Sequence, residues 1–306
     1  MNVDGSPLKK LPPGTLAGLR RRRLFPIVTR SIVTIGLYAV IVWGAIYVDR
    51  WFVWLSCWPL LGVLLFGFSC AAHECVHRTY APSAPINRAM GTLWLMPLLL
   101  NYPVHEQIHL KHHRYTGTID DPEFMPQLRR YAHGADYIRS IFARITILKP
   151  IYLMNWRFAF QALLGHPSEI LKSVSLIRDG RVVSLILLAW AGALCAATVV
   201  CPWFLISSYW IPVLIFGPAA GLFFSQHEHY AVENDRGAHG NTSTMETNSF
   251  VQFLVWNINH HTVHHLYPVI PFYNLPKLTA LIQHDILHRR RSFFAFHWKL
   301  LRGGPV

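Results

Sequence analysis

The sequence predicts an all-α integral membrane protein, with four transmembrane helices in two hairpins and a cytoplasmic helical cap carrying a histidine-ligated metal site. Three observations predict it. Hydrophobic residues make up 52% of the 306 and charged residues only 14%, well below the roughly 25% of soluble domains. Long stretches carry no charge at all. Twelve of the eighteen histidines fall in four short clusters beside those stretches.

Residues 1–30 read as a mobile basic tail, with Pro7, Pro12, Pro13 and Gly14 among Lys9, Lys10, Arg20, Arg21, Arg22, Arg23 and Arg30. The basic stretch is long and no small-residue cleavage site follows the next apolar segment, so it reads as an anchor and not a cleavable signal. Ser31 to Val48 and Trp51 to Ala72 are uncharged and separated only by Asp49-Arg50. Val182 to Gln226 holds no Asp, Glu, Lys, Arg or His, and Cys201-Pro202 breaks it near its middle. About 20 apolar residues cross a bilayer, so the spans are placed at about 31–48, 51–72, 182–200 and 204–224.

Ala89 to Val104 is also uncharged, but it is short and contains Pro97 and Pro103. A re-entrant or interface-lying helix fits it better than a fifth crossing, which would put the histidines on opposite sides. Ile151 to Leu164, with Trp156 and Arg157, reads as an interfacial helix. The membrane domain is taken as 31–285, followed by a basic C-terminal tail at 286–306. No internal repeat is found. The five cysteines show no C-x-x-C pair and sit mostly in apolar runs, as small core residues of a reduced compartment do.

Lysines and arginines crowd the segments outside the spans, whereas the hairpin turns hold only Arg50. By the positive-inside rule both termini, both large polar segments and the metal site face the cytoplasm. The net charge of +13 is then a membrane-surface property, with Arg20–Arg23 and Arg289–Arg291 against anionic headgroups. Because these runs flank spans, a nucleic-acid partner is not expected.

The clusters are His73-Glu-Cys-Val-His77; His105 with His109-Leu-Lys-His112-His113; Gln226-His227-Glu228-His229; and Asn257 with His260-His261-Thr-Val-His264-His265. Spacings of three and four place imidazoles on one helix face. Packing imidazoles together without a metal achieves little, and packing protonated ones costs Coulomb energy. Nine or ten histidines exceed the four ligands of one zinc, so two ions are expected. All-imidazole ligation suits redox iron and not calcium or magnesium, which want oxygen. Asp121, within Asp120-Asp121-Pro122-Glu123, can receive the outer N–H of a ligating imidazole.

Two rival motifs are present. His73-Glu74-Cys75-Val76-His77 matches H-E-x-x-H, the zinc metalloprotease helix with Glu74 as general base. Glu74-x-x-His77 and Glu106-x-x-His109 match the pairs of ferritin-like di-iron bundles. Each leaves most of the histidines unexplained. A non-catalytic membrane transporter or sensor would place ionisable groups within the spans, which here are bare.

The H-x-x-x-H at 73/77 and the H-x-x-H-H at 109/112/113 and 261/264/265 resemble the three histidine boxes of the membrane fatty acid desaturase and hydroxylase superfamily. The resemblance runs from about residue 60 to 285. Glu228-His229-Tyr230, Trp256-Asn257, Leu266-Tyr267-Pro268 and Phe272-Tyr273-Asn274-Leu275-Pro276 are similar to its sphingolipid and related desaturase branch. The resemblance implies a non-haem di-iron centre, O2 as co-substrate, and removal of hydrogen from an unactivated carbon chain. It carries iron ligation onto His73, His77, His109, His112, His113, His229, His261, His264 and His265. His227 and His260 are adjacent extras, Asn257 a candidate weak or water-mediated ligand, and Glu74 stands where the family usually has Asp.

The expected activity is a desaturase on a lipid acyl chain. A hydroxylase or ketolase on a lipid or carotenoid, or a desaturase of a small natural product, would use the same centre. Spans and boxes take up the whole chain, so a separate electron donor of ferredoxin or cytochrome b5 type is expected, docking at basic residues such as Lys111, Arg114, Arg129 and Arg130. Trp94, Trp156, Phe160, Phe223 and Trp256 are candidate walls of an apolar substrate tunnel.

Overall fold

The computed structural model describes residues 11–123, 131–145, 150–232, 237 and 239–304. Among these, the helices long and apolar enough to cross a membrane are Leu24–Val48 (α2), Trp51–Val76 (α3), Val174–Val200 (α8) and Pro202–Ser225. At 1.5 Å per residue they are about 36–40 Å long, more than the roughly 30 Å hydrocarbon core. Their outward faces are apolar: Phe25, Ile32 and Trp43 on α2 and Val182, Leu188 and Val199 on α8 are exposed, as lipid-facing side chains are.

A short helix, Pro13–Arg20 (α1), precedes them. Asn274 Nδ2 donates to the Leu19 carbonyl at 2.6 Å, and Tyr273 Oη both accepts from Arg23 N–H at 2.6 Å and donates to the Arg21 carbonyl at 3.1 Å. Residues 19–23 are therefore held to the far end of the chain and are not a mobile tail; Lys9 and Lys10 lie outside the described residues. The helix α2 starts at Leu24, seven residues earlier than expected, and takes in Arg30. That charge is tolerated because its Nη1 donates to the carbonyls of Gln252 and Phe253 at 3.3 and 2.9 Å. The guanidinium also lies 4.2 and 4.8 Å from the ring centroids of Phe253 and Phe272. Likewise α8 begins at Val174, where Asp179 pairs with Arg88 at 2.6 Å.

The last long helix consists of α9 (Pro202–Leu205), π-helical turns at Ile206–Trp210 and Pro212–Phe216, and α10 (Gly217–Ser225). Pro212 has no N–H, so the carbonyls four and five residues before it lose their donor. Tyr38 Oη donates to Ser208 O at 2.6 Å and Trp58 Nε1 to Ser207 O at 2.9 Å, which satisfies both where no water can. The backbones approach closely there: a Cβ on Gly62 would stand 2.5 Å from Phe216 C and O.

The uncharged segment 89–104 is two helices, Ala84–Leu95 (α4) and Tyr102–Tyr115 (α5), broken by a 3₁₀ turn at Met96–Leu98 and a left-handed Leu99. At about 18 and 21 Å neither is long enough to span. Asn101 caps α5, accepting from Val104 N at 3.2 Å. Its Nδ2 donates to Gly180 O at 2.8 Å and Ser184 Oγ at 3.0 Å. Asn155 on Pro150–Leu163 (α7) bonds both backbone groups of Asn101. This buried clamp fixes the start of α5, the helix that carries the second histidine cluster.

The remaining elements close over the same end of α3. They are α6 (Gly134–Arg144), β1 (Thr244–Met245), α11 (Ser249–Leu254), α12 (His261–Leu266), α13 (Leu275–Leu281), β2 (Arg289–Arg290) and α14 (Phe293–Leu301). The strands pair in parallel, Thr244 with Arg289 and Met245 with Arg290.

Candidate metal centre

The last turn of α3 presents His73, and His77 follows at its C-cap. The helix α5 supplies His109, His112 and His113, α12 supplies His261, His264 and His265, and His229 lies in the turn after α10. These nine side chains form two groups. His73, His77, His109, His113 and His264 make the first; His112, His229, His261 and His265 make the second. Within each group the nearest ligand nitrogens lie within 4.8 Å of one another. The groups adjoin, with the rings of His113 and His265 stacked 4.1 Å apart.

Three Nε2–Nε2 contacts are each 3.0 Å: His77 with His109, His113 with His264, and His229 with His261. Nitrogens about 2.1 Å from a shared ion lie about 3.0 Å apart at right angles and about 3.4 Å apart at the tetrahedral angle. The spacing therefore fits a coordination number above four. The buried Nε2 atoms of His73 and His265 have no hydrogen-bond partner among the described residues, a costly state unless the ion of each group faces them. Burial, and after it the neighbouring imidazoles, holds His77, His109, His261, His264 and His265 well below the usual histidine range, and His113 at about 3. At neutral pH these rings are uncharged, the form that binds metal.

Outer contacts orient the rings. His112 Nδ1 lies 2.9 Å from Asp121 Oδ1, His229 Nδ1 donates to Asn241 O at 2.9 Å, and His265 Nδ1 is 3.4 Å from Thr116 Oγ1. Burial alone would raise the Asp121 carboxyl. Bonds from His112 and from the N–H groups of Gly117 and Glu123 outweigh burial and lower it. Glu228 Oε1 stands 3.6 Å from His261 Nδ1, its carboxyl pushed well up by burial. Of these partners only Asp121 is anticipated by the spacing. Glu228 was visible beside His229, whereas Asn241 and Thr116 carry no motif.

Four candidates stand outside both groups. Glu74 Oε2 accepts from Thr79 Oγ1 at 2.7 Å and from Phe272 N at 3.0 Å, with Oε1 4.0 Å from His73 Nδ1. A general base would face the ion, so this geometry does not suit the protease reading of His73-Glu74-x-x-His77. His260 uses both nitrogens within the protein, 2.8 Å from Thr279 Oγ1 and 3.3 Å from Gln252 Oε1. His227 Nδ1 is 3.2 Å from Ser243 Oγ. Asn257 Nδ2 donates to Phe272 O at 2.9 Å; with Trp256 it adopts a left-handed backbone, φ 55° and 52°, in the turn that leads into α12.

A cavity of about 320 Å³ reaches both groups. Leu65, Phe66, Ser69, Cys70 and His73 line it along one face of α3, over about 12 Å of helix. Leu98, Leu222 and Ile151 add apolar wall, and His109, His112, His229 and His261 border it. The expected aromatic walls are elsewhere. Trp94 and Trp256 pack against each other at 6.1 Å, Trp156 donates to Leu99 O, Phe160 is exposed, and Phe223 stacks on His297.

Comparison with known proteins follows the same pattern. The chain is 28% identical over 309 residues to the sn-1 acyl-lipid omega-3 desaturase (ferredoxin) of Synechocystis sp., covering 91% of this chain and 85% of that one. It is 26% identical over 289 residues to the sn-1 oleoyl-lipid 12-desaturase of Picosynechococcus sp., covering 88% and 78%. With the acyl-lipid omega-3 desaturase (cytochrome b5), endoplasmic reticulum, of Arabidopsis thaliana it shares 24% over 285 residues, 86% and 71%. The fatty acid desaturase family model matches residues 49–297, which takes in every one of the nine clustered histidines, and the chain belongs to that family.

Proposed function

We propose that this protein is a membrane desaturase that introduces a double bond into an acyl chain of a lipid, with the two histidine groups each holding one iron. The observation that carries the reading is the apolar cavity that borders both groups. A hydrocarbon lying along α3 from Leu65 to His73 would lie beside histidines of both groups. His73, His77, His109, His113 and His264 are assigned to one ion and His112, His229, His261 and His265 to the other. Bound iron supplies O2 activation and hydrogen abstraction from an unactivated chain. One O2, two electrons and two protons taken up with the two removed hydrogens balance as two waters.

The chain's own part is positioning and exclusion. Asp121, Asn241 O and Thr116 hold the outer nitrogens of His112, His229 and His265 so that Nε2 points inward. Buried rings and apolar walls keep water from the reacting carbons. The electrons come from a separate donor protein; the named donors of the relatives, ferredoxin and cytochrome b5, define the two kinds to try. Lys111 and Arg114 on α5 offer basic docking points, while Arg129 and Arg130 lie outside the described residues. We further infer that both termini and the histidine groups face the cytoplasm.

Expression in a host with a suitable donor, followed by mass spectrometry of its lipids, tests the activity. A loss of two hydrogens from an acyl chain is expected. A gain of one oxygen would make the enzyme a hydroxylase. Ser69→Trp, which fills the cavity one turn of α3 before His73, should abolish the product while leaving metal content unchanged.

A further inference from the structure

Among the residues lining the cavity, one is a permanent cation: Arg144, in the last turn of α6. Its Nε donates to Ser140 O at 3.3 Å. Its Nη2 donates to Tyr131 Oη at 2.9 Å, Ser140 Oγ at 3.2 Å and Gln226 Oε1 at 2.5 Å. All of these acceptors are neutral, and among the described residues no bond to Nη1 is seen. No described carboxylate pairs with the guanidinium. A half-buried cation whose described partners are all neutral is expensive to keep, and burial already lowers its proton affinity.

Two of the carboxylates on the cavity lining lie beside histidines. Asp121 is committed to His112 and Glu228 faces His261, and the backbone of Glu123 bonds Asp121. The cavity thus has hydrocarbon walls at Leu65, Phe66 and Leu98, several histidines, and on the same lining a cation that no described carboxylate matches. A guanidinium with one free edge is the group that grips phosphate or carboxylate oxygens.

We infer that Arg144 anchors an anionic oxygen group at the polar end of the substrate, a lipid phosphate or a free carboxylate, and thereby sets head-group preference. The tether to Gln226, three residues before His229, holds the anchor in register with the metal groups. This inference rests on the desaturase reading.

The test uses purified, metal-loaded protein in nanodiscs. Dodecyl phosphate, dodecanoate and uncharged dodecylglycerol are titrated against wild type, Arg144→Gln and Arg144→Lys. Wild type should bind at least one of the two anions about tenfold more tightly than dodecylglycerol. Arg144→Gln should reduce that ratio to about twofold or less, and Arg144→Lys should retain part of it. Unchanged metal content in the variants shows that they fold. A ratio that stays the same in Arg144→Gln, or no preference in wild type, overturns the inference.

A second arm supplies phosphatidylglycerol, free fatty acid and galactolipid with the same acyl chain, together with a donor. The better anion should also be the better substrate, through KM, with kcat little changed. Dodecyl phosphate or dodecanoate selectivity without desaturation of any lipid would overturn the desaturase reading and leave the anchor standing. Desaturation indifferent to head group would do the reverse.

Discussion

His112 and His113 are neighbours in the chain, yet they belong to different groups, and so are His264 and His265. On a helix only positions three or four apart share a face. In α5 the i, i+4 pair His109/His113 joins the first group and His112 the second. In α12 the pair His261/His265 joins the second group and His264 the first. The spacing H-x-x-H-H therefore spells one pair for one ion and a single imidazole for the other, used in opposite senses by two helices. Two ions were expected from the count of histidines, and the structure shows two groups, but this division needed the crossing of α5 and α12. His260, an adjacent extra by sequence, precedes the helix and bonds Thr279 and Gln252 instead. For Asp121→Asn, which keeps the shape and removes the charge facing His112, second-group metal affinity should fall about 10–100-fold, measured by chelator competition. A wild-type affinity would show that the carboxylate is not needed.

The buried imidazoles also set a pH response. Burial brings His105 and His260 to about 4, and His113 and His227 to about 3. The unfolded chain takes up these protons near 6.5, so stability is full above that value and is lost as pH falls toward 4. Each such group contributes about 1.4 kcal/mol per pH unit in that window. Metal-free protein should therefore unfold at clearly lower denaturant at pH 5.5 than at pH 7.5. Equal midpoints would mean that these rings are hydrated or already protonated.

At the scale of elements, the centres of the spans were legible and the starts of α2 and α8 were not. An uncharged window stops at Arg30 and at Arg181, but α2 and α8 run past both. Contacts from distant residues satisfy charges within these helices, the carbonyls of Gln252 and Phe253 for Arg30 in α2 and Arg88 for Asp179 in α8. The π-helical turns around Pro212 were likewise hidden, since their partners Tyr38 and Trp58 come from other helices. Gly62 marks that crossing. Gly62→Ala should cost about 1–3 kcal/mol, whereas Gly44→Ala, with nothing within 4 Å, should be neutral. Thermal unfolding in detergent compares them, and equal melting would show that the helices can part without loss.

At the scale of the whole molecule, apolar faces on α2 and α8 and the histidines gathered at one end of α3 fit a bilayer enzyme whose chemistry sits just beneath the membrane surface. The proposed orientation puts Cys201, exposed in the turn between α8 and α9, on the side opposite the histidines. A membrane-impermeant maleimide added to intact cells should label Cys201, and Cys201→Ala should remove the label. Labelling that appears only after the membrane is opened would invert the topology. The histidine boxes and the uncharged runs carried most of this architecture in the sequence, because ligand spacing and span length are local properties. The cavity walls were not carried, because they depend on which faces meet.

The proposed activity depends on two irons shared among nine histidines, and metal analysis of the purified protein tests this most directly. The account predicts about two iron ions per chain, falling on His77→Ala or His261→Ala substitution. A single zinc ion with no iron, or full iron retained in both variants, would contradict it.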